Sequence, residues 1–306
     1  MIAMDTGVLV FILTVNNYDD TKECIDSVRA IKHDHFEIVI LDNGSTDNSI
    51  ELLKRDFPDL KFLRIEHNAG CARGMNLGLK HALEEKVHYI WMLNNDIIVD
   101  QNALSILEGV AESTDKAGLI GPKNLYYDSP DIVNYGGGRI SRLTCRTYHK
   151  GNGEIDSDRF RKTEETGYIT GASLFINMDM IGEIGLFDES YFLYYEDADL
   201  FMRAKLAGWK TIYAGNSRIW HKISRTNVNS SDSYFYYMVR NHRKFSKKYL
   251  KWYYRPTGWL YYYFFWCPSH IYLAFRRGNP LGGTKGVLKG IWHSSMFYQG
   301  GSKPKN

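Results

Sequence analysis

The hydrophobic positions of this chain come in short, evenly spaced runs at residues 8–13, 36–41, 60–65 and 89–93. The first, second and fourth end abruptly in polar residues: Thr14 and Asn16, then Asp42, then Asn94, Asn95 and Asp96. Short apolar runs bounded in this way predict strands buried on both faces, as in a parallel sheet. Between them the period changes to that of a helix. Cys24, Ile25 and Val28 share one face of a segment that Asp20 or Thr21 would cap, running to about residue 30. Ser45 or Thr46 would cap a second helix through residue 53, and a third follows Gly70 to about residue 83. The order β-α-β-α-β-α-β predicts an α/β protein with a doubly wound, mostly parallel, Rossmann-like sheet. Open sheets of this kind build their ligand sites at the carboxyl ends of the strands. A carboxylate at such an exit is costly to bury without a partner. Asp96 is therefore the first functional candidate and a divalent cation its expected partner. A plain Asn-Asn-Asp turn is the alternative.

Further along, residues 103–111 read as a helix and 119–122 as a short strand. Residues 123–166, with Gly136, Gly137, Gly138 and many charges, read as a long, irregular, mobile excursion. A strand at 168–177 is interrupted by Gly171, Ala172 and Ser173. The aromatic stretch 192–195 leads into Glu196, Asp197, Ala198 and Asp199 at the start of a helix to residue 207, where Gly208 suits the C-terminal position. Three carboxylates so close repel, so one should titrate high or be paired. Asp199 and Arg203 have the i,i+4 spacing of an ion pair. A strand at 210–214 follows, then Ile219, Trp220 and His221, and there is no internal repeat.

Composition changes this picture mainly at the C-terminal end. The 306 residues carry a formal net charge of only +3, yet residues 231–306 hold 13 Lys and Arg against one acid, Asp232. The same stretch holds 21 of the 44 aromatic residues. A helix is expected over 234–254, followed by the nearly uncharged stretch 258–275, in which Pro268, Ser269 and His270 form an interruption. Eighteen helical residues span about 27 Å, just short of a bilayer core of about 30 Å. A segment lying in the membrane surface is therefore favoured over one that spans it. Packing on the rest of the chain, or on a second copy in a homodimer, is the bland alternative. Nucleic acid is not expected as a partner, because no recognition motif accompanies the basic and aromatic residues. Cys24, Cys71, Cys145 and Cys267 are not spaced as a metal clip or redox pair, which points to reduced thiols in a cytosolic compartment. No secretory leader is expected before residue 8. The chain is expected to divide into a main domain over 1–230 and a helical extension over 231–306.

The ordered motifs LTVNN at 13–17, LDNGSTDNS at 41–49, NAGCARGMN at 68–76, LNND at 93–96, TGAS at 170–173, GLFDESYFLYYEDADLFMR at 185–203, and His221 together resemble glycosyltransferase family 2. The resemblance covers roughly residues 8–225 and is nearest to the rhamnosyltransferase-like subgroup. It implies a GT-A fold, a nucleotide-sugar donor, Mg²⁺ or Mn²⁺, and inversion at the anomeric carbon. It further implies that Thr14, Asn16 and Asp42 hold the nucleoside. The Asp42 carboxylate suits the imide N–H of uracil or thymine, or else an Asx turn within its own loop. Asn68, Gly70 and Arg73 open a helix, a setting that suits a diphosphate. Asn94, Asn95 and Asp96 stand where the family carries Asp-x-Asp, with only the last carboxylate kept, and His221 is the implied second metal ligand. Asp197 is the implied base and Glu196 its neighbour. Gly171, Ala172 and Ser173 line the floor beneath the donor sugar. Val15 stands where many relatives place an aromatic ring for the base.

These features predict a metal-dependent inverting transfer from a UDP- or dTDP-sugar to a glycan or lipid-linked acceptor, at the inner face of the cell membrane. The alternatives are a degenerate nucleotide- or glycan-binding module, supported by the missing first aspartate, and a sugar-nucleotide nucleotidyltransferase. The latter would carry a Gly-rich basic loop after the first strand, which LTVNNYDD is not.

Overall fold

The computed structural model describes residues 7–223 and 231–296. In chain order the first elements are β1 (Val8–Thr14), α1 (Tyr18–Arg29), β2 (Phe36–Asn43), α2 (Ser49–Asp56), β3 (Lys61–Ile65), α3 (Cys71–Glu85), β4 (Tyr89–Asn94), β5 (Ile97–Val99) and α4 (Ala103–Ser113). β6 (Ala117–Tyr126), β7 (Ser129–Tyr135), β8 (Gly138–Ile140), β9 (Thr147–His149), β10 (Glu154–Ile155) and β11 (Thr163–Glu165) come next. Then follow β12 (Ser173–Asn177), α5 (Met178–Ile184), α6 (Glu196–Leu206) and β13 (Lys210–His221).

The chain is α/β, built on a mostly parallel central sheet. β4, β1, β2 and β3 lie side by side and parallel, with Leu13 paired to Asn94 and Thr14 to Asp42. The polar exits of three strands therefore end at one edge, because three parallel strands stop in register where their apolar runs stop. β12 inserts antiparallel beside β4, with Ser173 opposite Leu93. β13 runs parallel to β6 and antiparallel to β5, with His221 opposite Ile97. Val10, Ile12, Ile40, Trp91 and Phe175 belong to the buried core beneath this edge.

Several expectations need correction. α1 is capped by Asn17, whose side chain accepts from the Asp20 amide, so Asp20 and Thr21 lie buried inside the first turn. α2 starts at Ser49, because Ser45 is tied to β1 and β2 instead of capping. Residues 123–166 are not an irregular excursion. β6 continues to Tyr126, and β7 to β11 pair antiparallel around it, with β8 and β9 forming a small sheet of their own. The charges misled because some are buried in pairs: Lys123 is 1% exposed and its Nζ lies 2.7 Å from Asp156. The strand foreseen at 168–177 begins only at Ser173.

The second unit consists of residues 141–146, 193–195 and the chain from 224 onward. The boundary expected at 230/231 adjoins 224–230, which are outside the described residues, as are 297–306. Its helices are α7 (Asp232–Tyr249), α8 (Arg255–Tyr261), α9 (Cys267–Arg276) and α10 (Pro280–Met296), with a π-helical turn, Tyr262–Trp266, joining α8 to α9. Phe235, Val239, Tyr262, Trp266, Ala274 and Val287 form its core. The expected helix over 234–254 ends at Tyr249, and Pro268 does not interrupt the next one. It sits in the first turn of α9, where a missing N–H costs little. Phe264, Tyr272, Phe275, Leu281 and Trp292 are exposed. Among the described residues, no helix is long and apolar enough to cross a membrane.

Candidate active site

The β1 exit turns sharply because Asn16 and Asn17 adopt left-handed backbone, φ 57° and 63°, which asparagine tolerates better than most residues. Asn16 is stitched to the β2 exit: its N–H donates to Ser45 Oγ at 2.7 Å, and its Oδ1 accepts from the Thr46 N–H at 2.8 Å. Thr14 and Thr21 share a buried hydroxyl contact at 2.9 Å, and the Asn95 amide donates to both. Asp42 is fully buried. Its Oδ1 accepts from the Ser45 N–H at 2.7 Å, which is the Asx-type turn. Its Oδ2 makes no hydrogen bond and lies 3.3 Å from Arg64 Nε. One oxygen thus holds the loop while the other, also buried, faces the Arg64 guanidinium.

The next loop is fastened by Asn43, which bonds the Gly70 carbonyl and the Ala69 amide. Asn68 accepts from the Gly70 N–H at 3.0 Å. Gly70 has φ +85°, and a Cβ there would lie 2.5 Å from the Phe192 carbonyl, so only glycine fits this approach. Arg73 stands exposed on the first turn of α3.

At the β4 exit, Asp96 is 8% exposed and its Oδ1 has no hydrogen-bond partner, though His221 Nε2 lies 3.3 Å away. The pairing of β13 with β5 brings His221 to this point. Two ligands at about 2.1 Å from one octahedral cation stand about 3 Å apart, so this pair fits neighbouring positions on Mg²⁺ or Mn²⁺. Among the described residues no group of three His, Cys, Asp or Glu could hold a metal, so substrate oxygens and water would fill the other positions. The Asn94 main chain donates to the Ala172 carbonyl at 3.0 Å.

The carboxylate cluster adjoins this edge through the same loop. Gly171 N–H donates to Asp197 Oδ2 at 3.1 Å, the Tyr168 hydroxyl donates to it at 2.6 Å, and Ala198 N–H donates to Oδ1 at 2.7 Å. Gly171 allows this close approach, since a Cβ there would lie 3.2 Å from that Oδ2 and press on the carboxylate. Burial raises both Asp197 and Glu196. Glu196 goes up to about 8, from burial first and the Asp197 charge second. Its Oε2 is buried without a partner. Three donors favour the charged form of Asp197, so Glu196 is the member that holds the proton near neutrality. The Cys71 thiol, at the start of α3, is raised by burial first and by the Glu196 charge second, so it lies close to this pair. Asp199 is fully buried and paired to Arg203 at 2.9 Å, as the spacing foretold.

The structure thus gathers Thr14, Asn16, Asp42, Asn94, Asn95, Asp96 and His221 along one strand edge, and links Gly70, Gly171, Glu196 and Asp197 to it. Ser173 is a correction: it is fully buried and its hydroxyl accepts from Trp91 Nε1 at 2.9 Å, so it serves the core and cannot line a sugar site. Asn95 likewise spends its amide on Thr14 and Thr21. Sequence reasoning missed Tyr168, Cys71, Asn43 and Arg64. Asn43 and Cys71 lie within recognised motifs, and Tyr168 stands two residues before one. Arg64 acts only through its contact with Asp42, which no local pattern shows.

The family model "Glycosyl transferase family 2" matches residues 9–183. Among curated proteins, the chain is 25% identical over 203 residues to an N-acetylglucosaminyl-diphospho-decaprenol L-rhamnosyltransferase of Mycobacterium tuberculosis, a match covering 60% of this chain and 66% of that protein. It is 35% identical over 98 residues to a poly-beta-1,6-N-acetyl-D-glucosamine synthase of Staphylococcus aureus, covering 31% of this chain but only 23% of the synthase. Of solved structures, GalNAc-T7 with UDP, GalNAc and Mn²⁺ has a TM-score of 0.64 at 17% identity, covering 96% of this chain and 58% of that one. The mannosyltransferase PcManGT from Pyrobaculum calidifontis, in complex with GDP-Man and Mn²⁺, has a TM-score of 0.55 at 12% identity, covering 97% and 76%. These two likenesses concern the fold alone.

Proposed function

The chain belongs to glycosyltransferase family 2, and from that premise we propose that it is an inverting, metal-dependent transferase acting in cell-surface polysaccharide synthesis. It would move a sugar from a UDP- or dTDP-sugar to a hydroxyl of a glycan or lipid-linked acceptor. The observation that carries this reading is the Asp96–His221 pair, 3.3 Å apart at the strand edge where Asp42 also ends. In this reading the Asp42 oxygen beside Arg64, which makes no hydrogen bond, accepts the imide N–H of the base. Thr14 and Asn16 shape the loop around the nucleoside. The N-terminal turn of α3, with Asn68, Gly70 and Arg73, meets the diphosphate. A divalent cation on Asp96 and His221 would neutralise the leaving diphosphate as a Lewis acid. Gly171 and Ala172 border the donor sugar. Asp197 would take the proton of the acceptor hydroxyl, with Glu196, neutral at its side, supporting it.

A panel of nucleotide sugars with Mn²⁺ tests this reading. A UDP- or dTDP-sugar should raise the melting temperature and should be slowly hydrolysed. Binding without turnover on every donor would favour a degenerate binding module, and stabilisation by nucleoside triphosphates with sugar phosphates would favour a nucleotidyltransferase.

The second unit supports a place at the inner face of the membrane. Phe264, Tyr272, Phe275, Leu281 and Trp292 stand exposed in a stretch whose only acid is Asp232. Such a basic, aromatic surface suits anionic headgroups. The full chain should float with phosphatidylglycerol vesicles, be released by high salt, and lose flotation on combined Phe264→Ser and Phe275→Ser substitution. A concentration-dependent dimer that ignores vesicles would assign this face to a second copy instead.

A further inference from the structure

Lys222 directly follows the histidine of the metal pair, and its side chain is fully buried. Its Nζ lies 2.8 Å from Asp20 Oδ1 and 2.7 Å from Glu23 Oε2, both on α1, and 4.9 Å from the centre of the Tyr127 ring. Its main-chain N–H donates to the Asp96 carbonyl at 3.0 Å. A buried ammonium is costly unless it is paired, and here it has two carboxylates from one helix. α1 begins at the cap formed by Asn17, and its Thr21 is bonded to Thr14 and Asn95 at the strand edge. One residue therefore joins three things: the end of β13, the loop that carries Asp96, and the helix at the nucleoside end of the site.

We infer that Lys222 is a positioning residue for the metal pair, clamping the end of β13 to α1 so that His221 is held facing Asp96. Asp20 and Glu23 are the anchor of this clamp, and Lys222 itself touches neither metal nor substrate. The inference rests on the metal-dependent reading above. Among the described residues no hydrogen bond fixes the His221 ring: Nδ1 is buried with no hydrogen-bond partner, and Nε2 faces Asp96 at 3.3 Å. Its orientation thus depends on the main chain on either side, and Lys222 anchors one side.

The test is Mn²⁺ titration by calorimetry into the full-length protein with UDP present, beside UDP titration without metal. Lys222→Met should weaken Mn²⁺ binding by about tenfold to a hundredfold, the usual effect of losing a residue that orients a metal ligand. Metal-free UDP affinity should stay as in the parent. His221→Ala should weaken Mn²⁺ binding too, and adding it to Lys222→Met should bring little further loss, because one substitution acts through the other. Unchanged Mn²⁺ affinity in Lys222→Met, or fully additive losses in the double variant, would overturn the inference. If Lys222→Met fails to fold, Glu23→Gln decides, since Glu23 is half exposed and Asp20 still pairs the lysine. A several-fold loss of Mn²⁺ affinity with normal UDP binding is then expected, and no loss rejects the clamp. If His221→Ala itself leaves Mn²⁺ binding intact, the metal assignment fails and the clamp falls with it, an outcome distinct from failure at Lys222 alone.

Discussion

Asp96→Ala is expected to reduce nucleotide binding in the presence of Mn²⁺ to the level seen without metal, a loss of at least about a hundredfold if the cation contributes roughly several kcal/mol. The carboxylate is 8% exposed and its Oδ1 has no hydrogen-bond partner, so it is held at the strand exit at a cost to the fold. Removing it should therefore leave the metal-free melting temperature unchanged or slightly raised. Stability and function then move in opposite directions, which separates a metal ligand from a structural aspartate. His221→Ala should weaken metal use less, since an imidazole is the neutral member of the pair. Calorimetry with UDP and dTDP, with and without Mn²⁺, measures both effects. Equal nucleotide affinity for Asp96→Ala and the parent in Mn²⁺ would remove Asp96 from the site.

What the sequence made legible follows from local physics. Parallel strands buried on both faces announce themselves as apolar runs, and their polar exits marked Thr14, Asp42 and Asp96 at one edge before any pairing was known. The Asp199–Arg203 pair was legible from spacing, as was the need for one carboxylate among Glu196, Asp197 and Asp199 to titrate high. What failed depended on backbone conformation or distant pairing. Asn17 caps α1 from a left-handed conformation that composition does not reveal, so Asp20 was mistaken for a cap when it is one of the carboxylates around Lys222. The strands of residues 123–166 carry charges that look solvated, and Lys123 is buried only because Asp156, just after β10, meets it. Ser173 reads as a site residue beside Gly171, yet strand alternation turns it inward to Trp91. Phe192 has φ 65°, a strained choice for an aromatic residue. Its carbonyl packs on Gly70, and that contact between two distant motifs has no signature in either.

Asp197→Asn should lower sugar transfer by about 10²–10⁴-fold, the usual worth of a general base, while donor binding barely changes. Asp197 accepts from Tyr168, Gly171 and Ala198, and the carboxylate itself is assigned no donor contact, although Gly171 borders the donor sugar. The amide must turn its NH₂ towards one of those donors, so a modest loss of stability should accompany the variant. Two companions make the assignment specific. Tyr168→Phe removes a hydrogen bond that holds the Asp197 carboxyl down, so the acidic limb of the pH–rate profile should move to higher pH with the plateau largely kept. Glu196→Gln mimics a carboxyl that is already protonated below about 8, so transfer near pH 7 should fall far less than for Asp197→Asn. A carboxyl raised by folding binds its proton more tightly in the native state, so its contribution is present in acid and lost as pH rises towards about 8. Glu196→Gln should therefore be the more stable protein at pH 8 and show a flatter stability profile between pH 5 and 8 than the parent. Transfer rate, donor affinity and melting temperature across that range test the set. If Asp197→Asn keeps near-full transfer, or loses donor binding as Asp96→Ala does, the base lies outside this cluster, because Asp199 is fully buried and already committed to Arg203.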